Sequence, residues 1–542
     1  MFREITIEDK ILFDQFHCEE YCGSELLFAN VFAWKKTDCL QLSIQPDFLI
    51  IKGRDFFFPP LCKTKESFLK GISWIEQYCL ANAFPFRLLG ITDLFYSFFG
   101  EDYFLLPTPH LDEYLYLPND LATYPGKKYH AKRNLCNQFQ KNYSYQFVSY
   151  KTEHFSPIID LCNRWEVHKT PTEELDGIID ILNNLSASGC FCDVLIVNDI
   201  VEGFVIGTVQ KKCGIVLFEK ANVELIGIYP MLISLTSQKH FLSMEKINRQ
   251  EDMGIESLRQ AKMRFHPVQF IKKYQVCWNK TKQLKYLYQS AFPDSQDYVN
   301  YFFTKKEKET LILEEDSFIY AALYYRTLTI HIQGQLHSAC FIFAISTHPH
   351  YRNRGYMKNL LNRAVDEWQK EYLCCFLFPD ISNFYEKFDF VPCYYLLESA
   401  DCKKVETNDW EKIKELYTLY AKKYQNFIIR SDKQWQTMAE ENQINHGKVY
   451  LLFQAENIIG YEIFDGETTI ELVDLSSKVT LSPRCNMVRF LQIETLQSLF
   501  PKEKSYPLTA LLQAKINQPN LLLQQFSIDF IKENPILILD CY

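Results

Sequence analysis

The sequence predicts a multidomain α/β (α+β) protein, on three observations: its length, its composition, and the interleaving of strand and helix patterns. At 542 residues the chain exceeds what a single hydrophobic core organises, so about three to five domains are expected. Hydrophobic residues make up 47% and charged residues 23%, the balance of folded globular domains. Short apolar runs alternate with segments whose apolar residues recur three and four apart, from one end of the chain to the other. Aromatics reach 15%, so a stripe of rings reads as core before it reads as a ligand box.

The elements group into blocks without Gly/Ser linkers, low-complexity tracts or short-period repeats. A first block, 1–118, ends in the polar turn around Asp112 and Pro118. A second, 119–276, closes on a helix-like stretch at 255–274. A third spans 280–400. The fourth begins at 401, with helices at 409–423 and 433–441 and strands at 449–453 and 458–464.

Several function classes are disfavoured. A net charge of −9 does not suit a chain that coats nucleic acid through clustered Lys and Arg. The 18 cysteines include no CxxC pair, and Cys18/Cys22, Cys190/Cys192 and Cys374/Cys375 do not suit zinc, so no metal and reduced thiols are expected. The first ten residues are charged and lack an apolar signal core. No uncharged apolar run reaches the ~18 residues of a membrane span, so a cytoplasmic protein is expected.

The third block is the most informative. Strands are expected at 309–314, 318–325 and 328–333, then a continuous apolar strand at 338–346 that leads into THPHYRNRGYM. From there Met357, Leu360, Leu361, Ala364, Val365 and Trp368 form the one-sided stripe of an amphipathic helix. A short strand at 373–378 and a compact helix at 383–388 precede a last strand. A strand thus enters a basic, Gly-containing loop that opens a helix, a geometry that can aim backbone N–H groups at a diphosphate. An R-x-x-G tetrapeptide alone mostly marks a solvated turn; the strand before it and the helix after it give it weight.

HPHYRNRGYMKNLL resembles the pyrophosphate loop of the GNAT acetyltransferases, in particular the enhanced intracellular survival type, and NFYEKFDFVP resembles that family's final helix–strand segment. The family loop R/Q-x-x-G-x-G/A maps onto Arg352, Gly355 and Met357, the last a departure from its small residue. The resemblance implies acetyl-CoA as acyl donor. Ala344, Ile345, Ser346 and Thr347 would hold its pantetheine arm through the main chain, and Arg352, Asn353, Arg354, Gly355, Tyr356 and Met357 its diphosphate. Tyr385 matches the tyrosine that protonates the departing thiolate; otherwise it packs with Phe384 and Phe388. Residues 401–482 resemble the degenerate second GNAT unit of that branch, and 483–542 a shortened form of its sterol-carrier-like segment. The terminal carboxylate of Tyr542 would then assist proton removal.

Residues 1–276 resemble the soluble catalytic domain of phosphatidylglycerol lysyltransferases and its stand-alone relatives. The resemblance rests on SELLFANVFAW, FFFPPL, GKKYHAKRNLCNQF, FEKANVELIGIYPM and INRQEDMGIESLRQAKMRFHPV. It implies two GNAT-like units, 1–118 and 119–276, so the chain as a whole is expected to be tandem GNAT-like mixed sheets flanked by helices. Lys127, Lys128, Lys132 and Arg133 form one basic stretch, and Arg259, Lys262, Arg264 and His266 a second. Together with Asn248 and Arg249 they are candidates for an anion or donor pocket, with a tRNA acceptor end as partner; the alternative for the basic stretches is a solvated helix face, and for Asn248, Arg249, Glu251 and Asp252 a structural ion-pair knot. The leading expectation is acetyl transfer from acetyl-CoA to a small-molecule primary amine. An aminoacyl-tRNA-dependent transferase in the N-terminal half, and a non-catalytic sensor of acyl-CoA or amino compounds, are the alternatives.

Overall fold

The computed structural model describes residues 1–17, 21, 23–166, 174–332, 334–377, 384–388, 390–399, 402–422, 426–466, 469–475, 479–490 and 536–537. Two compact units, Met1–Lys282 and Gln283–Tyr542, divide the chain. Among the described residues no helix is long and apolar enough to cross a membrane.

The first unit is built on a seven-stranded mixed sheet of β1 (Glu113–Tyr116), β2 (Tyr145–Ser149), β3 (Cys190–Val197), β4 (Ile200–Gln210), β5 (Cys213–Ala221), β6 (Lys246–Asn248) and β7 (Gln269–Ile271), in the order β7-β1-β6-β5-β4-β3-β2. Helices α1 (Pro118–Thr123), α2 (His130–Asn142) and α3 (Ile228–Thr236) cover one face, where Tyr116, Leu121, Phe139, Leu232 and Phe241 are fully buried. The helix-like stretch at 255–274 is helical only over α4 (Glu256–Met263); β7 and the strand Lys273–Trp278 take the rest. Pro267 accounts for the stop, since it supplies no N–H and pushes the residue before it out of the helical region. His266 there is left-handed, at φ 53°.

The second unit carries an eight-stranded sheet. Its strands are β8 (Glu309–Glu315), β9 (Phe318–Ile332), β10 (Gln335–Thr347), β11 (Cys374–Leu377), β12 (Val391–Ser399), β13 (Asn426–Ile429), β14 (Val479–Phe490) and the short Ile536–Leu537. The order is β12-β14-β11-β10-β9-β13 and then Ile536–Leu537, with β8 also pairing β9. Strands from both sides of residue 400 therefore share one sheet. The two strands expected at 318–325 and 328–333 are the single strand β9, because Arg326 and Thr327 pair with Phe341 and Cys340 of β10 and so stay in the ladder. Helix α5 (Gln296–Thr304) packs on one face through Val299 and Phe302, and α6 (Tyr356–Trp368) on the other. The expected apolar stripe of α6 is buried at Leu360, Leu361, Ala364, Val365 and Trp368; for its larger side chains that is on the order of 2 kcal/mol each. Cys340, Cys374 and Cys375 lie in this sheet as buried free thiols. The compact helix expected at 383–388 is described only as the short turn Glu386–Phe388. A separate four-stranded antiparallel sheet, from Lys403–Thr407 to Thr469–Asp474, is backed by helices α7 (Trp410–Ala421) and α8 (Asp432–Ile444).

Candidate functional site

The carboxyl end of β10 is irregular. Ala322 pairs with Ser346 and Tyr324 with Phe343, so β10 carries one more residue than β9 between those pairs. The extra residue is absorbed by a bulge in which Ala344 is left-handed, at φ 47°, a conformation that costs a residue with a Cβ on the order of 1–2 kcal/mol. A bulge takes main-chain groups out of the ladder and turns them outward. Among the described residues the parallel neighbour β11 pairs with β10 from Cys340 with Cys375 to Ile342 with Leu377. Ligands of open α/β sheets bind at such carboxyl ends.

A cavity of about 750 Å³ opens there. Its wall includes Ala344, Ile345, Ser346 and Thr347 from β10, then Arg352, Asn353, Gly355, Tyr356 and Met357, and also Phe384, Tyr385 and Phe388. Gly355 is the N-cap of α6 at φ 85°, no side chain caps this helix, and a Cβ built on Gly355 would meet nothing within 4 Å. The first N–H groups of α6 thus have no partner within the helix, in a turn where Asn353 is also left-handed, at φ 64°. Ser346 is buried, and its Oγ has no hydrogen-bond partner among the described residues. Tyr385 is half-buried, its ring 5.1 Å from Phe384 and 6.1 Å from Phe390.

The two arginines of the loop are partly engaged. Arg352 donates from Nη2 to the Ser290 carbonyl at 3.0 Å and from Nε to the Thr347 carbonyl at 3.4 Å. Arg354 lies 5.1 Å over the Tyr351 ring and is absent from the cavity wall. Tyr542 and most of 483–542 lie outside the described residues.

In the first unit the candidate cations have mostly structural partners. Lys128 pairs with Asp120 at 2.9 Å, and Arg133 donates to the carbonyls of Tyr124 and Gly126. Arg249 pairs with Glu219 at 3.1 Å and Arg259 with Asp252 at 2.9 Å. Burial works against the Asp252 carboxylate, but hydrogen bonds from Arg259 and Tyr114 hold it below the usual range. The Lys262 Nζ donates to the carbonyls of Arg249 (2.5 Å), Gln250 (3.1 Å) and Glu251 (2.6 Å), and burial lowers its pKa to about 8. Lys132 stands 3.6 Å over the Phe265 ring, and Lys127 is exposed. Arg249 and Asp252 of the expected knot are thus each ion-paired, with Glu219 and Arg259 respectively.

Comparison with known families bears on the two domains. Residues 20–277 match the model of the phosphatidylglycerol lysyltransferase C-terminal domain, and residues 270–393 that of the acetyltransferase (GNAT) domain. The chain joins a lysyltransferase-type domain to a GNAT domain. Both families move acyl groups, and the chain is an acyltransferase by its domains. Among solved structures, a conserved protein of unknown function from Bacteroides thetaiotaomicron is similar at 26% identity, over 51% of this chain and 99% of its own, with a TM-score of 0.47. L-PGS from Bacillus licheniformis is similar at 14% identity, over 50% and 91%, with a TM-score of 0.39. A GCN5-related N-acetyltransferase from Kribbella flavida is similar at 14%, over 40% and 71%, with a TM-score of 0.29. Comparison with curated proteins gives no match.

The lysyltransferase-type domain also holds a cluster that sequence reasoning missed. Glu113 on β1 accepts from the Ser24 N–H (2.9 Å) and from Asn248 Nδ2 (2.7 Å), and Lys273 lies 3.3 Å from its carboxylate. Lys273 is wholly buried and also contacts Glu25, which accepts from the Tyr21 hydroxyl at 2.9 Å. Burial, with Glu113 and Glu251 nearby, pushes the Glu25 carboxyl up to about 7 despite Lys273. The one sequence signal was the stretch that begins at Ser24 and Glu25; nothing local joins it to Glu113, 89 positions on.

Proposed function

We propose that the GNAT domain transfers an acetyl group from acetyl-CoA to a primary amine. The observation that supports this best is the meeting, in one cavity, of the Ala344 bulge, the uncapped N-terminus of α6 at Gly355, and Tyr385. Its volume is in the range of ligand cavities. The N–H groups at Gly355, Tyr356 and Met357 suit a diphosphate, aided by the helix dipole. The bulge at Ala344 and Ile345 suits the amide groups of a pantetheine arm, with the unpartnered Ser346 Oγ as a further donor or acceptor. When bound, the donor supplies a thioester: the amine nitrogen bonds to its carbonyl carbon as the carbon–sulfur bond breaks. A phenol beside the departing sulfur is a suitable proton donor, and Tyr385 is the residue we assign to it; the proton shed by the amine nitrogen restores its hydroxyl.

Purified protein mixed with acetyl-CoA and a panel of primary amines should release free thiol in an amine-dependent way. Tyr385→Phe should then lower kcat on the order of 10²–10⁴-fold with Tm unchanged, because it removes one oxygen and keeps the ring. Equal kcat for the two proteins would take Tyr385 out of the chemistry.

One observation favours a second centre. Glu25, 15% exposed beside the buried Lys273 and with its pKa raised by burial to about 7, is the kind of group that acid–base catalysis employs. Aminoacyl-tRNA is the donor we would test there, by filter binding of bulk tRNA at low salt, and both donors go with a cytoplasmic setting.

A further inference from the structure

The cavity of the GNAT domain is walled from both faces of its sheet. Ile345, Tyr356, Met357, Phe384 and Tyr385 pack with the core on the α6 face, whereas Phe292, Phe343 and Ala344 pack with the core on the α5 face. The strand register agrees: Phe343 stands opposite Tyr324 of β9, which lies in the α5-face core, and directly opposite residues share a face. Phe292 and Phe343 belong to one cluster of rings. Tyr288 lies 4.9 Å from Phe292 and 4.3 Å from Phe302, and Phe302 lies 6.1 Å from Phe343. Both wall rings are only half-buried, so each keeps surface for a ligand in the cavity. The charge behind them is paired: Lys306, whose Nζ is 5.1 Å from the Phe343 centroid, lies 2.6 Å from the Glu441 carboxylate.

The groups assigned to the donor, the Gly355 turn, Ile345 and Tyr385, are those of the α6 face. An amine that attacks the thioester carbon must come from cavity space the donor leaves free, and Phe292 and Phe343 wall that space. Such rings gain from a buried apolar group. They give less to a second ammonium, whose lost water a ring face only partly replaces. We infer that the acceptor is an arylalkylamine, a single primary amine on a short carbon chain that ends in a ring, with that ring against Phe292 and Phe343. The bond made and the bond broken are those of the proposed acetyl transfer, and the aryl group takes no part in them. The inference rests on that reading and names its substrate class.

The test is thiol release from acetyl-CoA by the full-length protein, with phenethylamine, propylamine and spermidine as acceptors. Phenethylamine should have the highest kcat/KM, by on the order of tenfold or more over each of the others, the scale set by burying a phenyl group. Phe343→Ala and, separately, Phe292→Ala should narrow the phenethylamine-to-propylamine ratio severalfold. The ratio is taken within each variant, so a loss of folded protein cancels, and if one variant fails to fold the other carries the comparison. Propylamine or spermidine turned over as well as phenethylamine overturns the substrate class and leaves acetyl transfer standing. A ratio that a folded variant leaves unchanged overturns the seating against the two rings. Thiol release with none of the three overturns the inference, and the wider amine panel then decides the acetyl-CoA reading separately.

Discussion

At the scale of single residues, Lys132 shows how a cation comes to be placed at a disadvantage. It stands 3.6 Å over Phe265, whose ring is also 4.9 Å from the Arg249 guanidinium, so two like charges share one ring. Burial, then repulsion from Arg249 and Arg264, lowers the Lys132 pKa from 10.5 to about 8. The sign follows from linkage: a depressed pKa means that the fold prefers the neutral amine, so stability is present above pH 10.5 and is lost as pH falls through 8. At pH 7 the charged amine therefore costs stability. Lys132→Met, which keeps apolar contact with Phe265, should raise Tm at pH 7 and gain progressively less toward pH 10.5. Melting curves across that range check it, and a lower Tm at pH 7 would show that the cation–ring contact outweighs the repulsion. The sequence showed Lys132 as one cation among several. Its standing depends on Arg249, which is brought up by the chain more than a hundred residues later, and no local pattern records that. Lys262 is the contrasting case: its pKa is equally depressed, but three carbonyls hold it.

At the scale of elements, what the sequence revealed depends on how local the cause is. The α6 helix was legible because its stripe is a property of 13 consecutive residues, and Gly355 because a strand, a turn and a helix follow one another there. The bulge at Ala344 was not, since it exists only as a mismatch between β9 and β10. Nor was the place of β14, which pairs with β11 and β12 from about a hundred residues away. The Gly355 turn gives an element-level prediction. At φ 85° a side chain costs on the order of 1–2 kcal/mol, yet a Cβ there meets open space, so the fold should survive. Gly355→Val should therefore lower Tm modestly and lose the stabilisation that acetyl-CoA gives. Thermal melts with and without ligand check both parts, and an unchanged ligand response would remove the turn from the binding site.

At the scale of the whole molecule, the two compact units each have their own sheet and core, and the two family matches fall mainly on different units, 20–277 on the first and 270–393 on the second. A ligand of one unit should therefore stabilise that unit. The most direct measurement is scanning calorimetry of the full chain, with and without acetyl-CoA at a hundredfold excess over its Kd. The account predicts that the transition of the GNAT domain moves upward, by the equivalent of roughly 2.7 kcal/mol from ligand linkage, while that of the lysyltransferase-type domain stays in place. Absence of any shift at millimolar acetyl-CoA, or a shift confined to the lysyltransferase-type domain, would contradict it.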